Sequence, residues 1–417
     1  MQMAVPGAAP CPRTAETSAR QVVVVGAVRT AYGRRGGALA AWHPLDLSAE
    51  VLAALLERSG ARPEDVGALW WGCASQVGAQ SGNLGRRAVL AAGWPESVPG
   101  VTLDAHTASS AYAVHLAAQA VAAGSEDLVV AGGVESTSTV PLGAALGQPT
   151  LGKPAGRLLA ERYRAGGGLL PPGLVAENVA TQRGLGRRRL DDWALSSAQK
   201  AARAQPAATP YIVVPGGGAG PTEARGGRRG TSLPGALDEA VPYSLARGPL
   251  SALPPLYLEG GVVTAANLAA EGDGAAAVLL AEAGLARRLG LGASARLVSF
   301  GVAGASPHVG LLALAPATRL ALGRAGLGVA DVSRWYVLEA SAVAVLAWVD
   351  EMGVDEGLVN PEGGELASTC PLGAAGAALF AAAAQGPGGG DGGGRYVGVC
   401  STGEGGVATA CIMELAR

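Results

Sequence analysis

Residues 101–133 read VTLDAHTASSAYAVHLAAQAVAAGSEDLVVAGG, and this stretch decides the fold. Its first three residues predict a strand, and the alanine-rich residues 109–123 predict a helix. The apolar residues 128–131 predict a second strand, which runs into a pair of glycines. Strands that alternate with helices in this way indicate a layered α/β fold.

The same alternation precedes this stretch. Residues 22–25 form a β-branched run that predicts a buried strand, and residues 46–58 carry leucine and valine at helical spacing. Residues 68–71 predict another apolar strand, and residues 84–92 predict another helix. The α/β pattern therefore extends over the whole first part of the chain.

The second part of the chain repeats the first. Four segments have later counterparts: 22–25 in 296–300, 63–71 in 329–339, 101–123 in 359–384, and 128–133 in 396–406. The period is far longer than that of a solenoid repeat, so it indicates a duplicated domain.

Between the halves, residues 142–259 are rich in glycine, proline and arginine, with one clear helix over residues 191–204. An insertion of this length favours a loop domain that builds a binding site, while a glycine-rich linker is the alternative. The predicted organisation follows from these boundaries. Residues 1–20 form a flexible tail, 21–141 with 260–288 the N-terminal half, 142–259 the loop (lid) domain, and 289–417 the C-terminal half.

Composition excludes several classes of protein. The 417 residues are 49% hydrophobic and 15% charged, which supplies a large core and excludes global disorder. Lysine and arginine total 31 against 33 aspartate and glutamate, a net charge of −2. This balance argues against a nucleic-acid partner and gives no reason to expect a membrane partner.

The five cysteines are widely spaced and show no zinc-site spacing, so no metal site is expected. Residues 1–20 lack the apolar region of a signal peptide, and no apolar run reaches 18 residues. A disulfide-stapled secreted domain is not expected at this size. The default location is the cytoplasm.

Duplicated α/β halves bring the N-termini of two central helices together. A helix N-terminus presents free N–H groups, lowers a thiol pKa and binds oxyanions. The segments expected at this point are residues 105–110, 368–371 and the glycine-rich loop 400–406.

Over residues 21–417 the sequence resembles the thiolase family, the acetyl-CoA acyltransferases. The matching stretches are residues 72–78, 96–102, 131–136, 176–180, 264–267, 272–278, 359–364 and 400–406. The resemblance implies a thiolase fold, a duplicated five-layered α-β-α-β-α arrangement with a loop domain over the active site. It also implies CoA thioesters as substrates, no tightly bound cofactor, and a homodimer or tetramer.

The sequence departs from the family at the catalytic positions. Thr107 stands where thiolases have the nucleophilic cysteine, and Cys370 stands where they have the histidine of a Gly-His-Pro motif. Ser341 begins the segment that replaces their Asn-Glu-Ala-Phe motif, and Ala269 replaces a serine that touches pantetheine. Of the catalytic positions, the second cysteine is kept, as Cys400.

These replacements argue against ordinary thiolysis or condensation, because a hydroxyl without a base attacks a thioester poorly. What remains is a site in which Cys400, Cys370 and Thr107 face one pocket. Cys400 is the candidate nucleophile or acid/base, and the amides of Thr107 and Thr402 are the candidate oxyanion hole.

His308 lies in a loop that lines the acyl pocket in the family and is a candidate replacement base. His106 is a second candidate, although strand alternation favours a side chain that points away. Ser341 and Asn267 are assigned to substrate binding. The cluster of Arg225, Arg228 and Arg229 could bind the phosphates of CoA or of a carrier arm, or could be a solvated basic loop.

Two functions remain open. The first is a divergent acyltransferase that takes an acyl group from a thioester on CoA or an acyl carrier protein, with a rebuilt active site. The second is a non-catalytic homologue that binds thioesters or serves as the partner subunit of an active enzyme. The aromatic content of 4% leaves little to stack on adenine, which favours a carrier-protein arm.

Overall fold

The computed structural model describes residues 20–146, 152, 154–204, 212–213, 238–239, 250–385 and 395–416. Several predictions fall outside these residues: nearly all of the tail 1–20, much of the insertion 142–259, and the connection 386–394. Arg225, Arg228 and Arg229 also lie outside the described residues, and their assignment to phosphate binding stays a prediction.

The described elements alternate as the sequence predicts. The first half contains β1 (Val22–Thr30), β2 (Gly33–Arg34), α1 (Pro44–Ser59), β3 (Ala68–Gly72), α2 (Leu84–Ala91), β4 (Gly100–Leu103), α3 (Ser109–Ala123) and β5 (Leu128–Ser136). The insertion contributes α4 (Arg157–Arg162), α5 (Pro172–Arg183), α6 (Arg187–Ala204) and β6 (Ile212–Val213).

The rest of the chain completes the first half and builds the second. These elements are β7 (Gly272–Glu282), α7 (Ala283–Arg288), β8 (Ala295–Gly304), α8 (Leu314–Ala325), β9 (Val332–Val337), α9 (Ala342–Met352), α10 (Leu372–Gln385), β10 (Tyr396–Thr402) and β11 (Val407–Leu415). The strand β7 pairs with both β5 and β1, so the chain returns from the insertion into the middle of the first sheet.

Strand order confirms the duplication. The sheet runs β4-β3-β5-β7-β1-β8-β11-β10-β9. In the first half β3 and β5 are parallel, and β7 and β1 follow antiparallel. In the second half β9 and β10 are parallel, and β11 and β8 follow antiparallel. The strands of the two halves are joined by a short antiparallel pairing of β1 with β8, in which Val23 pairs with Arg296 and Val24 with Ala295.

Helices pack on the strands of both halves. The helices α3 and α10 pack against each other and against strands of the sheet, α1 packs on β1 and β7, and α8 packs on β8 and β11. This arrangement confirms the layered α/β thiolase-type architecture. Small residues allow the central helices to approach: a Cβ at Gly376 of α10 would lie 2.5 Å from the backbone N of Ala111 in α3.

A buried carboxylate ties the two halves together at the start of α10. Glu135, at the end of β5, accepts the N–H groups of Ala74 and Gly373, each over 2.9 Å. Its other oxygen accepts from the Ser75 N–H and the Gln80 side chain. Glu135 is fully buried, and these four donors compensate for the loss of water.

Within the described ranges, no helix is both long and apolar enough to cross a bilayer. The same residues contain no group of three His, Cys, Asp or Glu side chains placed to hold a metal ion.

Candidate active site

A cavity of about 380 Å³ lies at the N-terminal end of α3. Five parts of the chain line it: the loop after β3, the turn before α3, the glycine loop after β10, the segment before α8, and the start of α5 in the insertion. The lining residues are Ala74, Asp104, Ala105, His106, Leu169, Leu170, Pro172, Val175, Pro307, Gly310, Leu311, Gly403, Glu404, Gly405 and Gly406. Volume and shape suit a small ligand.

His106 lines this cavity because its backbone is left-handed, with φ of 55°. The carboxylate of Asp104 accepts the His106 N–H over 2.8 Å and holds the turn. The expectation that the His106 side chain points away rested on regular strand alternation. The left-handed residue breaks that alternation, so the expectation was wrong.

Glu404 faces His106 from the glycine loop. One of its carboxylate oxygens lies 3.8 Å from Nε2 of His106. The imidazole side chain is 16% exposed and the Glu404 side chain 62%. The imidazole of His106, from the first half of the chain, and the carboxylate of Glu404, from the second half, therefore face each other at the cavity.

Thr107 lies behind His106 and is 6% exposed. Its hydroxyl donates to the carbonyl of Thr402 over 2.5 Å. In return, the hydroxyl of Ser401 donates to the Thr107 carbonyl over 3.3 Å. The structure therefore brings Thr107 and Thr402 together as predicted, but with the Thr107 hydroxyl engaged in a backbone hydrogen bond.

The amide of Thr402 points towards the same side as its carbonyl. The Gly403 N–H bonds to the Val407 carbonyl, which makes Thr402 and Ala408 a non-hydrogen-bonded pair of the β10–β11 ladder. Both backbone groups of Thr402 are then directed away from β11, and the carbonyl accepts from the Thr107 hydroxyl. The amide of Thr107 belongs to the first turn before α3, where N–H groups have no acceptor within the helix.

Cys400 does not join this group. It is fully buried, and its Sγ lies 3.5 Å from the hydroxyl of Thr318 in α8. The indole of Trp348 donates to the same hydroxyl. Burial raises the pKa of the Cys400 thiol to about 12. The side chain therefore packs in the core of the second half, on the strand face opposite Ser401.

Cys370 is also enclosed. It is 3% exposed and belongs to a core cluster that joins residues of both halves, whereas Cys400 belongs to a second cluster. Burial raises the pKa of its thiol well above the ordinary value, and the nearby carboxylates of Glu365 and Glu135 raise it further. The predicted cavity shared by Cys400, Cys370 and Thr107 is not what the structure contains, because both thiols are buried and none of the three residues lines the cavity.

His308 contacts the insertion rather than lining the cavity. Its Nε2 lies 2.7 Å from the Gly168 carbonyl, and its ring packs edge-on against Tyr163. Its neighbours Pro307 and Gly310 do line the cavity. His308 therefore helps to hold the insertion over the site.

The two side chains assigned to substrate binding are engaged in local structure. Ser341 caps α9 by accepting the Ala344 N–H over 3.2 Å. Asn267 is fully buried and donates to Asp191 of α6 and to the Val262 carbonyl. Neither side chain is among those lining the cavity.

Comparison with known proteins decides the family. The model for the N-terminal domain of thiolase matches residues 22–284, and the model for the C-terminal domain matches residues 291–414. The chain belongs to the thiolase family. It is thereby a member of a superfamily of acyltransferases.

Several thiolases are similar over most of their length. A steroid 3-ketoacyl-CoA thiolase of Mycobacterium tuberculosis is 36% identical over 373 residues, 86% of each chain. An acetyl-CoA acetyltransferase of Chromobacterium violaceum is 36% identical over 85% of this chain and 90% of its own. A β-ketoadipyl-CoA thiolase of Pseudomonas aeruginosa is 37% identical over 86% of this chain and 91% of its own.

Sequence reasoning missed two features of this thiolase-family site. Glu404 stands in the glycine loop, where nothing in the sequence sets it opposite His106. The apolar wall from Leu169, Leu170 and Val175 comes from an insertion with weak periodicity. One signal was available: an aspartate two residues before His106 is typical of a turn that the aspartate side chain closes.

Proposed function

We propose that this chain takes an acyl group from an acyl thioester, on CoA or on a carrier protein, through a rebuilt site at the start of α3. The observation that carries the proposal is the cavity itself: its lining includes an imidazole and a carboxylate, and no thiol. Acyl thioesters are the substrates named for the thiolases to which the chain is similar.

Ordinary thiolysis does not suit this arrangement. That reaction needs a cysteine thiolate, and burial raises the pKa of both candidate thiols, to about 12 for Cys400. The hydroxyl of Thr107 already donates to a backbone carbonyl. Loss of a nucleophile and its base lowers rates by several orders of magnitude.

Other features suit acyl transfer. The amide of Thr107 lies in the turn at the N-terminus of α3, and the Thr402 backbone is bonded to the Thr107 hydroxyl, which supports their assignment as the donors of an oxyanion hole. Leucine, valine and proline side chains on the insertion side of the cavity suit an acyl chain. The names of the relatives make CoA the first carrier to test.

The experiment is a pair of assays. Release of CoA from acetyl-CoA and butyryl-CoA is followed by a thiol reagent, and thiolysis of acetoacetyl-CoA is measured in parallel. We expect CoA release above the uncatalysed rate and no thiolysis. Cys400→Ala is the matched variant and should keep the wild-type rate of CoA release. Thiolysis at the rate of an ordinary thiolase, lost in Cys400→Ala, would contradict the proposal.

The second candidate function is a non-catalytic thiolase homologue that binds thioesters or pairs with an active subunit. The burial of both thiols and the engaged Thr107 hydroxyl favour it. It predicts saturable binding of acyl-CoA by calorimetry with no CoA release. Steady CoA release by the purified chain would exclude it.

We also propose that the chain is located in the cytoplasm and that it forms a homodimer or a tetramer. Strand β4 forms the edge of the sheet and leaves Val101 43% exposed, and Leu90 of the neighbouring helix α2 is 45% exposed. An exposed apolar strand edge supports self-association. Light scattering of the wild type and of Val101→Lys tests it, and a monomeric wild type would contradict it.

A further inference from the structure

We infer that His106 is the general base of the proposed acyl transfer, oriented by Glu404, and that its acceptor is a hydroxyl group or water. This inference rests on the proposed function. It assigns the base to the residue before Thr107, the family's nucleophile position, and not to Cys370, the position of the family's histidine. It also names the chemical class of the acceptor.

The backbone at His106 is the first support. A left-handed conformation is unfavourable for a residue other than glycine and persists where surrounding contacts impose it. Here Asp104 accepts the His106 N–H, and the Ser109 hydroxyl donates to the His106 carbonyl over 2.6 Å. The same hydroxyl accepts the Ala105 N–H over 2.9 Å. The turn is thus held in a conformation that presents the imidazole to the cavity.

The charged groups at the cavity are the second support. Asp104 and Glu404 are the charged residues among its lining, and Glu404 lies 3.8 Å from Nε2 of His106. Because Glu404 faces Nε2, we assign the proton of the neutral imidazole to Nε2 and the acceptor role to Nδ1. The carboxylate also stabilises the imidazolium that forms during the reaction.

Proton and electron pairs balance without a further reagent. His106 takes the proton of the acceptor hydroxyl as the oxygen attacks the thioester carbonyl carbon, and a C–O bond forms. The resulting oxyanion is placed by the Thr107 and Thr402 amides. Collapse breaks the C–S bond, and the departing thiolate takes the proton from the imidazolium. With water as acceptor, the products are a carboxylic acid and free CoA thiol.

The left-handed backbone of His106 also determines which substitution of this residue tests the inference best. Asparagine tolerates the left-handed region better than other non-glycine residues, so His106→Asn keeps the turn while removing the base. His43→Ser is the matched control: it removes a histidine remote from the cavity whose side chain caps α1, and serine replaces that cap.

The test measures acetyl-CoA hydrolysis by thiol release, with thermal unfolding to verify folding. We expect His106→Asn to lose about 10²–10⁴-fold in kcat with little change in KM, and added imidazole to restore part of the rate. Glu404→Gln should lower kcat about tenfold and leave KM unchanged, because the carboxylate orients the base and stabilises the imidazolium. His43→Ser should match the wild type.

Two outcomes would overturn the general base role alone: full kcat in folded His106→Asn, or an acyl adduct on His106 in the intact mass, which would make it a nucleophile. A wild type that binds acyl-CoA and never releases CoA would overturn the proposed function, and this inference with it.

Discussion

The hydroxyl of Thr107 donates a hydrogen bond to the carbonyl of Thr402 over 2.5 Å. Thr107 lies in the turn that starts the central helix of the first half, and Thr402 ends a strand of the second half. The Ser401 hydroxyl returns a bond to the Thr107 carbonyl. The side chain at this position therefore acts as a tie between the halves, directly beneath the cavity.

Replacement of Thr107 by valine should destabilise the chain by about 1–2 kcal/mol, because a buried carbonyl loses its donor while the shape is kept. Thr107→Ser retains the hydroxyl and should cost less. Urea unfolding of both variants measures the difference. A Thr107→Val variant as stable as the wild type would show that this hydrogen bond makes no net contribution to the free energy of unfolding.

Cys400 should be inert in the folded chain. Its thiol is fully buried with a pKa of about 12, so at pH 8 iodoacetamide should leave it unlabelled, while in urea it should react fully. Peptide mass spectrometry measures the labelling. Cys400→Ala should cost about 1 kcal/mol through lost packing. Rapid labelling under native conditions would contradict the burial.

Glu365 should make stability fall as the pH rises. Burial raises its pKa to about 7, and the nearby charge of Glu339 adds to the effect. The side chain stays protonated in the folded chain between about pH 4.5 and 7, while the unfolded chain ionises. Each pH unit in that window therefore removes about 1.4 kcal/mol from the free energy of unfolding.

The matched variant isolates this effect. Glu365→Gln keeps an oxygen to accept the Glu339 N–H, which bonds to Glu365 over 2.9 Å. Relative to this variant, the wild type should lose about 3 kcal/mol between pH 4.5 and 7.5. Urea unfolding across the pH range provides both curves. Parallel curves would mean that Glu365 ionises normally.

Gly403 should tolerate no side chain. A Cβ there would lie 2.3 Å from the Ala105 carbonyl oxygen, so Gly403→Ala must move the glycine loop away from the turn that carries His106. We expect a loss of about 1–3 kcal/mol in stability and at least about tenfold weaker acyl-CoA binding.

The chain offers an opposite case in Gly323, an exposed position of α8 where a Cβ would meet nothing within 4 Å. Gly323→Ala should stabilise the chain by about 0.5–1 kcal/mol and leave binding unchanged. Calorimetric titration with acyl-CoA and thermal unfolding compare the two. Equal effects at both positions would contradict the steric argument.

The layered fold could be predicted from the sequence because its elements are bounded by strong local signals. The helix predicted at residues 109–123 matches α3 at both ends, and Gly124, with φ of 79°, ends it. The parallel and antiparallel order of each half repeats as the internal similarity predicts. The boundaries of the insertion stay a prediction, since much of it lies outside the described residues.

The directions of the catalytic side chains could not be predicted in the same way. One left-handed residue, His106, turns its side chain into the cavity and leaves Thr107 behind it. In β10, strict alternation sends Cys400 to one face and Ser401 to the other, so retaining a cysteine in the motif does not ensure its orientation. Both outcomes depend on tertiary contacts between halves, which a single sequence does not specify.

The bond from Gly373 to Glu135 has a consequence for a molecule built by duplication. Two equivalent helix ends began with the same capacity to attract negative charge, but the end of α10 is already satisfied by an internal carboxylate. We propose the end of α3 for the incoming ligand, where Asp104 accepts the His106 N–H of the preceding turn. Under that proposal the duplicated halves have become specialised, since one helix end is closed by a carboxylate of the chain itself and the other receives the ligand.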